Sequence, residues 1–109
     1  MQKKSDDNTR FKSTVFYALS DPIRLEIINY LRNGEKCVCE IVPSLNLIQP
    51  LVSRHLKILK DAGIVRCRKD GTKRMYSVVD SRIYAVIDAL DSELLKTLAK
   101  EAFESVTCG

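Results

Sequence analysis

The chain has 109 residues, of which 45% are hydrophobic and 29% charged, and its formal net charge is +4. That describes one domain with one modest core, and no stretch approaches the roughly 18 consecutive apolar residues of a membrane span. One histidine and no tryptophan, with no Gly-rich phosphate loop, H-E-x-x-H or G-x-S-x-G, exclude the usual catalytic constellations, so an enzyme or a catalytic cofactor is not expected.

Residues 1–8 are polar, with no apolar signal-peptide core behind their lysines. They read as a flexible arm, and 105–109 as a flexible tail, on one domain over 9–104. A cytoplasmic protein follows, with its four cysteines as thiols and not a disulfide framework. From Thr9 to Ser20 the residues Phe11, Val15, Phe16, Ala18 and Leu19 recur at helical spacing. Asp21-Pro22 is a capping residue followed by proline at the first helical position. The second helix carries Leu25, Ile28 and Leu31 on one stripe and stops near Asn33-Gly34. A short third helix is expected from Cys37 to Leu45, irregular because Pro43 lies inside it.

The next helix, Gln49 to Ala62, buries Val52, Leu56 and Leu59 and is ended by Gly63. Its other face shows Gln49, Ser53, Arg54, Lys57 and Lys60. Ile64–Lys69 and Lys73–Val79 read as strands around the turn composition Asp70-Gly71-Thr72. One long helix, Ser81 to Glu104, then repeats Ile83, Ile87, Leu90, Leu94 and Leu98, with Asp80 or Ser81 as its cap. Charge is concentrated in residues 49–79, where eight Lys and Arg face two Asp, a net +6. Such a block suits a polyanion, although a merely solvated face gives the same count.

This order of elements is that of a winged helix-turn-helix, mainly α with a small β-hairpin. In it the second helix of the motif lies in the major groove. Gln49, Ser53 and Arg54 near its start supply base-reading donors and acceptors. The hairpin becomes the wing, with Arg66, Arg68, Lys69, Lys73 and Arg74 near phosphates. The stripe Ile83, Ile87, Leu90, Leu94 and Leu98 exceeds what so small a domain covers, and reads as a dimer surface, paired with the first helix.

Four stretches carry a family likeness: Asp21-Pro22-Ile23-Arg24-Leu25-Glu26-Ile27-Ile28, Gln49 to Leu59, Ala62-Gly63-Ile64-Val65 and Gly71-Thr72-Lys73-Arg74-Met75-Tyr76. The chain resembles the ArsR/SmtB repressors over roughly residues 11–95. The resemblance implies a homodimer on inverted-repeat operator DNA, off the membrane, released by a metal, a metalloid or another inducer. It adds Pro50 and His55 to the DNA-binding set of Gln49, Ser53, Arg54, Lys57, Lys60, Arg68, Lys69, Lys73 and Arg74. His55 either contacts a phosphate or packs under the helix, and Tyr30 and Tyr76 read as packing. One departure stands at Ile48, where the family usually has a serine cap; either the helix start shifts or Asn46 takes part.

Cys37-Val38-Cys39 matches the position at which arsenic- and cadmium-sensing members hold their inducer. Thiolates suit arsenite, antimonite or a soft divalent ion. In an ideal helix residues i and i+2 diverge by roughly 200°, so joint ligation requires the first turn to unwind. The family's frequent third cysteine is replaced by Val42, which leaves Cys108, an external thiol or, less favoured, Cys67 as third ligand. The zinc-type site on the last helix is excluded, because Asp80 has no histidine with it. The same fold as a thiol redox sensor, or as a module without a metal inducer, stands as the alternative.

Overall fold

The computed structural model describes residues 3–108, with side chains described for residues 6–105. The chain order is α1 (Lys3–Ala18), α2 (Pro22–Tyr30), a single 3₁₀ turn (Leu31–Asn33), β1 (Lys36–Cys37), α3 (Val38–Ser44), α4 (Gln49–Asp61), β2 (Val65–Asp70), β3 (Lys73–Val78), α5 (Arg82–Asp88) and α6 (Ser92–Cys108). The hairpin is part of a three-stranded antiparallel sheet in the order β1-β3-β2. The winged helix-turn-helix expected from the sequence is the observed architecture.

Helices α2, α3 and α4 supply the centre of the core, where Ile27, Ile28, Ile41, Val52, Leu56 and Leu59 are fully buried. On α2 the buried stripe is Arg24, Ile27 and Ile28, continued by Leu31. Leu25, expected on that stripe, faces outward. The core face is spaced i, i+3, i+4, i+7, but its first position is an arginine, which hides the pattern from a count of apolar residues. Asp21 caps α2 as expected: its Oδ1 accepts from the Ile23 and Arg24 N–H groups at 2.8 and 3.3 Å. Partial burial raises its carboxyl pKa, but these hydrogen bonds outweigh that and hold it below the ordinary value.

Helix α4 ends as its glycine predicts. Gly63 has φ +80°, its N–H donates to Lys60 O at 2.9 Å, and the Ile64 N–H donates to Leu59 O at 3.0 Å. This is a Schellman closure that needs a residue tolerant of left-handed backbone. At the other end Ile48 is the cap residue and makes no side-chain cap bond. Neither a shifted start nor Asn46 replaces the missing serine: the helix begins at Gln49 regardless.

Three expectations are corrected at the ends of the chain. Residues 3–8 belong to α1 and are not an arm; nothing between Lys3 and Ala18 breaks a helix, and Asp6 sits in the first turn, where the helix dipole favours it. Residues 105–108 continue α6 and are not a tail. The single long helix is two, because Asp91 starts a new one: its Oδ1 accepts from the Leu94 N–H at 2.9 Å. Asp80, not Ser81, binds the start of α5, accepting from the Arg82 N–H at 2.9 Å.

Helix α5 is fastened to its own domain. Tyr84 Oη donates to Ile28 O at 2.7 Å, and Arg32 makes a two-pronged ion pair with Asp88 at 2.9 and 3.1 Å. Ile83 and Ile87 accordingly pack half-buried on the chain's own core. Of the expected dimer stripe, Leu90, Leu94 and Leu98 remain exposed, joined by Val86, Leu95 and Phe103. Helix α1 likewise exposes Phe11, Phe16 and Tyr17.

Candidate nucleic-acid interface and its cysteine cleft

Helix α4 is strongly two-sided. Val52, His55, Leu56 and Leu59 are buried, while Gln49, Pro50, Ser53, Arg54, Lys57 and Lys60 face solvent. Lys57 pairs with Asp61 at 3.0 Å, an exposed i, i+4 contact of small energetic weight. The residues expected to meet DNA are therefore solvent-exposed on this helix, with one exception. His55 is buried, and its Nδ1 lies 2.9 Å from Arg24 Nη1. Of its two expected roles, this geometry fits packing and not phosphate contact.

The wing separates its cations by sheet register. Arg66 pairs across the strands with Ser77, Arg68 with Met75, Lys69 with Arg74 and Asp70 with Lys73. Alternation along a strand puts Arg66 and Arg68 on one face and Lys69 and Arg74 on the other. Arg68, expected at phosphate, instead grips Glu35 with two bonds of 2.7 Å each. That contact holds the Glu35 carboxyl below its usual range and raises the guanidinium of Arg68 further. Glu35 lies outside the basic block, so a local charge count cannot find this pairing. Lys69 and Arg74 are exposed and directly opposite each other. Two like charges in that relation repel, a cost that a polyanion laid across them removes.

The cysteines sit beside this surface. Cys37 is not in the helix: it is the cap residue of α3, with φ −85° and ψ 160°, and its N–H donates to Glu40 Oε1 at 2.9 Å. Its extended backbone turns the thiol back toward Cys39, the two Cα atoms are 5.1 Å apart, and the sulfurs are joined as a disulfide. This corrects two expectations. The pair is not held as free thiols, and no helical turn has to unwind for the sulfurs to meet. Cys37 is buried and Cys39 exposed.

Both line a cleft of about 580 Å³ whose other walls are Val42 and Pro43 of α3, Gln49 and Ser53 of α4, and Lys73, Arg74 and Tyr76 of β3. Tyr30 and Tyr76 pack against the core as expected. Cys67 does not join this site: it pairs with Tyr76 across the hairpin and is not among the residues that line the cleft. Burial and the adjacent Cys67 thiol raise the Tyr76 phenol. The side chain of Cys108 lies outside the described residues. Among those described, no group of three or more His, Cys, Asp or Glu is placed to hold a metal ion.

A second helix of a helix-turn-helix with an exposed polar face, beside a basic two-stranded wing, defines a winged helix-turn-helix DNA-binding protein. Residues 21–66 match the family model described as bacterial regulatory protein, arsR family. An uncharacterized HTH-type transcriptional regulator of Methanocaldococcus jannaschii is 47% identical over 78 residues, 71% of this chain and 88% of that one. An arsenical resistance operon repressor of Staphylococcus xylosus is 44% identical over 66 residues, 61% of this chain and 64% of that one, a little under two thirds of its length. Among solved structures, the homodimeric winged helix-turn-helix DNA-binding domain of a possible ArsR-family regulator from Mycobacterium bovis is 25% identical. It superposes with a TM-score of 0.80 over 89% of this chain and 93% of that one. The chain belongs to the ArsR family of transcriptional regulators.

Proposed function

We propose that the protein is a cytoplasmic, homodimeric repressor that reads an inverted-repeat operator with its two α4 helices. A thiophilic inducer, arsenite, antimonite or a soft divalent ion, releases it by binding Cys37 and Cys39. The observation that carries this reading is the shared cleft: the cysteine pair, the base-reading residues Gln49 and Ser53, and the wing residues Lys73 and Arg74 line one space. Occupation at the sulfurs therefore acts directly beside the groups that hold DNA. An inducer lowers DNA affinity only by binding the free form better than the bound one, and a common cleft provides that difference.

The donors fit a soft centre. Reduction of the Cys37–Cys39 disulfide leaves two adjacent thiols, and thiolate is the form that binds. The inducer supplies soft Lewis acidity to this dithiol; Cys108, an external thiol or solvent completes its coordination. Dimerisation is supported by the exposed apolar faces of α1 and α6, where Phe11, Phe16, Tyr17, Leu94, Leu95, Leu98 and Phe103 are each 40% or more exposed in the single chain. The homodimeric mycobacterial relative supports it as well.

A second reading is favoured by one observation, the joined sulfurs of Cys37 and Cys39: the same pair works as a redox sensor. An operator-release assay separates the two. Reduced protein on labelled operator is challenged with arsenite, antimonite, cadmium, lead, zinc and peroxide. Release by the thiophilic ions is the expected result. Release by peroxide alone replaces the inducer reading with the redox one.

A further inference from the structure

Among the described residues, Arg24 and His55 are the two polar side chains buried in the core, and the DNA-binding reading gives neither of them a task. Helix α1 ends at Ala18, so the carbonyls of its last turn lack partners inside the helix. Leu19 and Ser20 serve those of Val15, Phe16 and Tyr17, and Arg24 serves the last, that of Ala18. Its Nε donates to Ala18 O at 2.7 Å, its Nη2 donates to Tyr17 O at 3.4 Å, and the guanidinium lies over the Tyr17 ring, 5.5 Å from the centroid. A cation at a helix C-terminus is also favoured by the helix dipole.

The remaining arm of the fork reaches another element. Nη1 of Arg24 meets Nδ1 of His55 at 2.9 Å. A guanidinium can only donate, so Nδ1 accepts and the ring proton sits on Nε2. His55 is at the middle of α4 on its buried side, with Val52, Leu56 and Leu59. One side chain of α2 thus ties the end of α1 to the back of the recognition helix. The surrounding Ile and Leu contacts are non-directional and tolerate small rolls of one helix on another; a planar fork with fixed donor directions does not.

We propose that the Arg24–His55 pair is a positioning joint. It sets the roll of α4 relative to α1 and, through α1 at the dimer surface, the separation of the two recognition helices. The half-site spacing that the protein accepts is then a property of this joint. The inference rests on the dimeric operator-binding reading given above, and it concerns residues that touch neither base nor phosphate.

The test uses the full chain. Operators are selected from random duplex DNA with the wild type, then remade with one base pair inserted or deleted at the centre. Each such change moves the half-sites by about 3.4 Å and rotates them by about 35°. The readout is the ratio of affinities for native and altered spacing. His55→Leu keeps bulk and removes the acceptor, and the ratio is expected to fall about tenfold, the scale of one lost charge-assisted hydrogen bond. His55→Asn places a carbonyl oxygen near the position of Nδ1 and is expected to restore most of it. Arg24→Lys, a single-point donor, is expected to narrow the ratio as His55→Leu does, and it serves as the second arm if that variant does not fold. Nitrogen-15 spectra of the wild-type imidazole should show the proton on Nε2. Affinities that fall together with an unchanged ratio in both variants, or a ring proton on Nδ1, overturn the joint. A wild type that selects no inverted repeat overturns the functional reading and the joint with it.

Discussion

Removing Arg74 should change how DNA binding responds to salt, and removing Arg68 should not. The two residues are six apart in sequence and both are exposed wing arginines, but their surroundings differ. Arg68 is already neutralised by Glu35 at 2.7 Å, whereas Arg74 lies directly opposite Lys69 and borders the cleft next to Gln49 and Ser53. Each phosphate neutralised on duplex DNA contributes about 0.9 to the slope of log affinity against log salt. A dimer loses two such contacts on Arg74→Ala, so the slope should flatten by about 1.8. Between 50 and 200 mM salt that amounts to about a twelvefold difference in how far binding falls. The free protein should be stabilised slightly, because a like-charge cross-strand pair is gone. Fluorescence anisotropy of a labelled duplex over four salt concentrations, with urea unfolding of the free protein alongside, measures both. If Arg68→Ala flattens the slope as much as Arg74→Ala, the assignment of wing faces from the sheet register is wrong.

Three further outcomes follow from the geometry. Arg54→Ala should weaken operator binding by about 1–3 kcal/mol and relax preference at one base pair, read by comparing operator with single-site variants; equal losses on operator and random DNA would make Arg54 a phosphate contact. Ile48→Ser should add about 1 kcal/mol of stability in urea unfolding, because serine Oγ can accept from the Leu51 N–H while Pro50 offers none; no gain would mean that the N-terminal donors of α4 are satisfied otherwise. Asp21→Asn should be less stable than wild type at neutral pH, with the gap closing as pH falls below 3.8. The folded Asp21 carboxyl lies below that ordinary value, so its ionised form stabilises the fold above it and the contribution is lost as pH drops through the folded value. A gap that does not change with pH would assign the cap to geometry and not to charge.

The parts of the molecule legible in the sequence are those specified by local chemistry. Asp21-Pro22 caps α2, Gly63 closes α4 and Gly71 turns the hairpin with φ +65°, each from constraints reaching no further than one turn. The free face of α4 was readable because its buried stripe and its polar face alternate with a single period. What was missed depends on partners distant in sequence. The two-residue strand β1 exists only by pairing Lys36 with Tyr76 and Cys37 with Met75. The same pairing pulls Cys37 out of the helix and turns its sulfur onto Cys39. Arg68 is taken from the DNA-facing set by Glu35, 33 residues away, and His55 by Arg24, 31 residues away. Only the break between α5 and α6 carried a local signal, the Asp91-Ser92 capping pair, which the continuous apolar repeat on either side concealed.

The central claim is that Cys37 and Cys39 receive the signal that frees the DNA. It is tested most directly by titrating arsenite into the reduced protein bound to labelled operator, wild type against the Cys37→Ser/Cys39→Ser double variant. Both should bind the operator alike, because neither substitution replaces a residue of α4 or of the wing. The wild type should be released, with a response that weakens as pH falls and the thiolates protonate, while the double variant should stay bound at every arsenite concentration. Release of the double variant at the same arsenite concentration as the wild type would place the sensing site elsewhere and contradict the account.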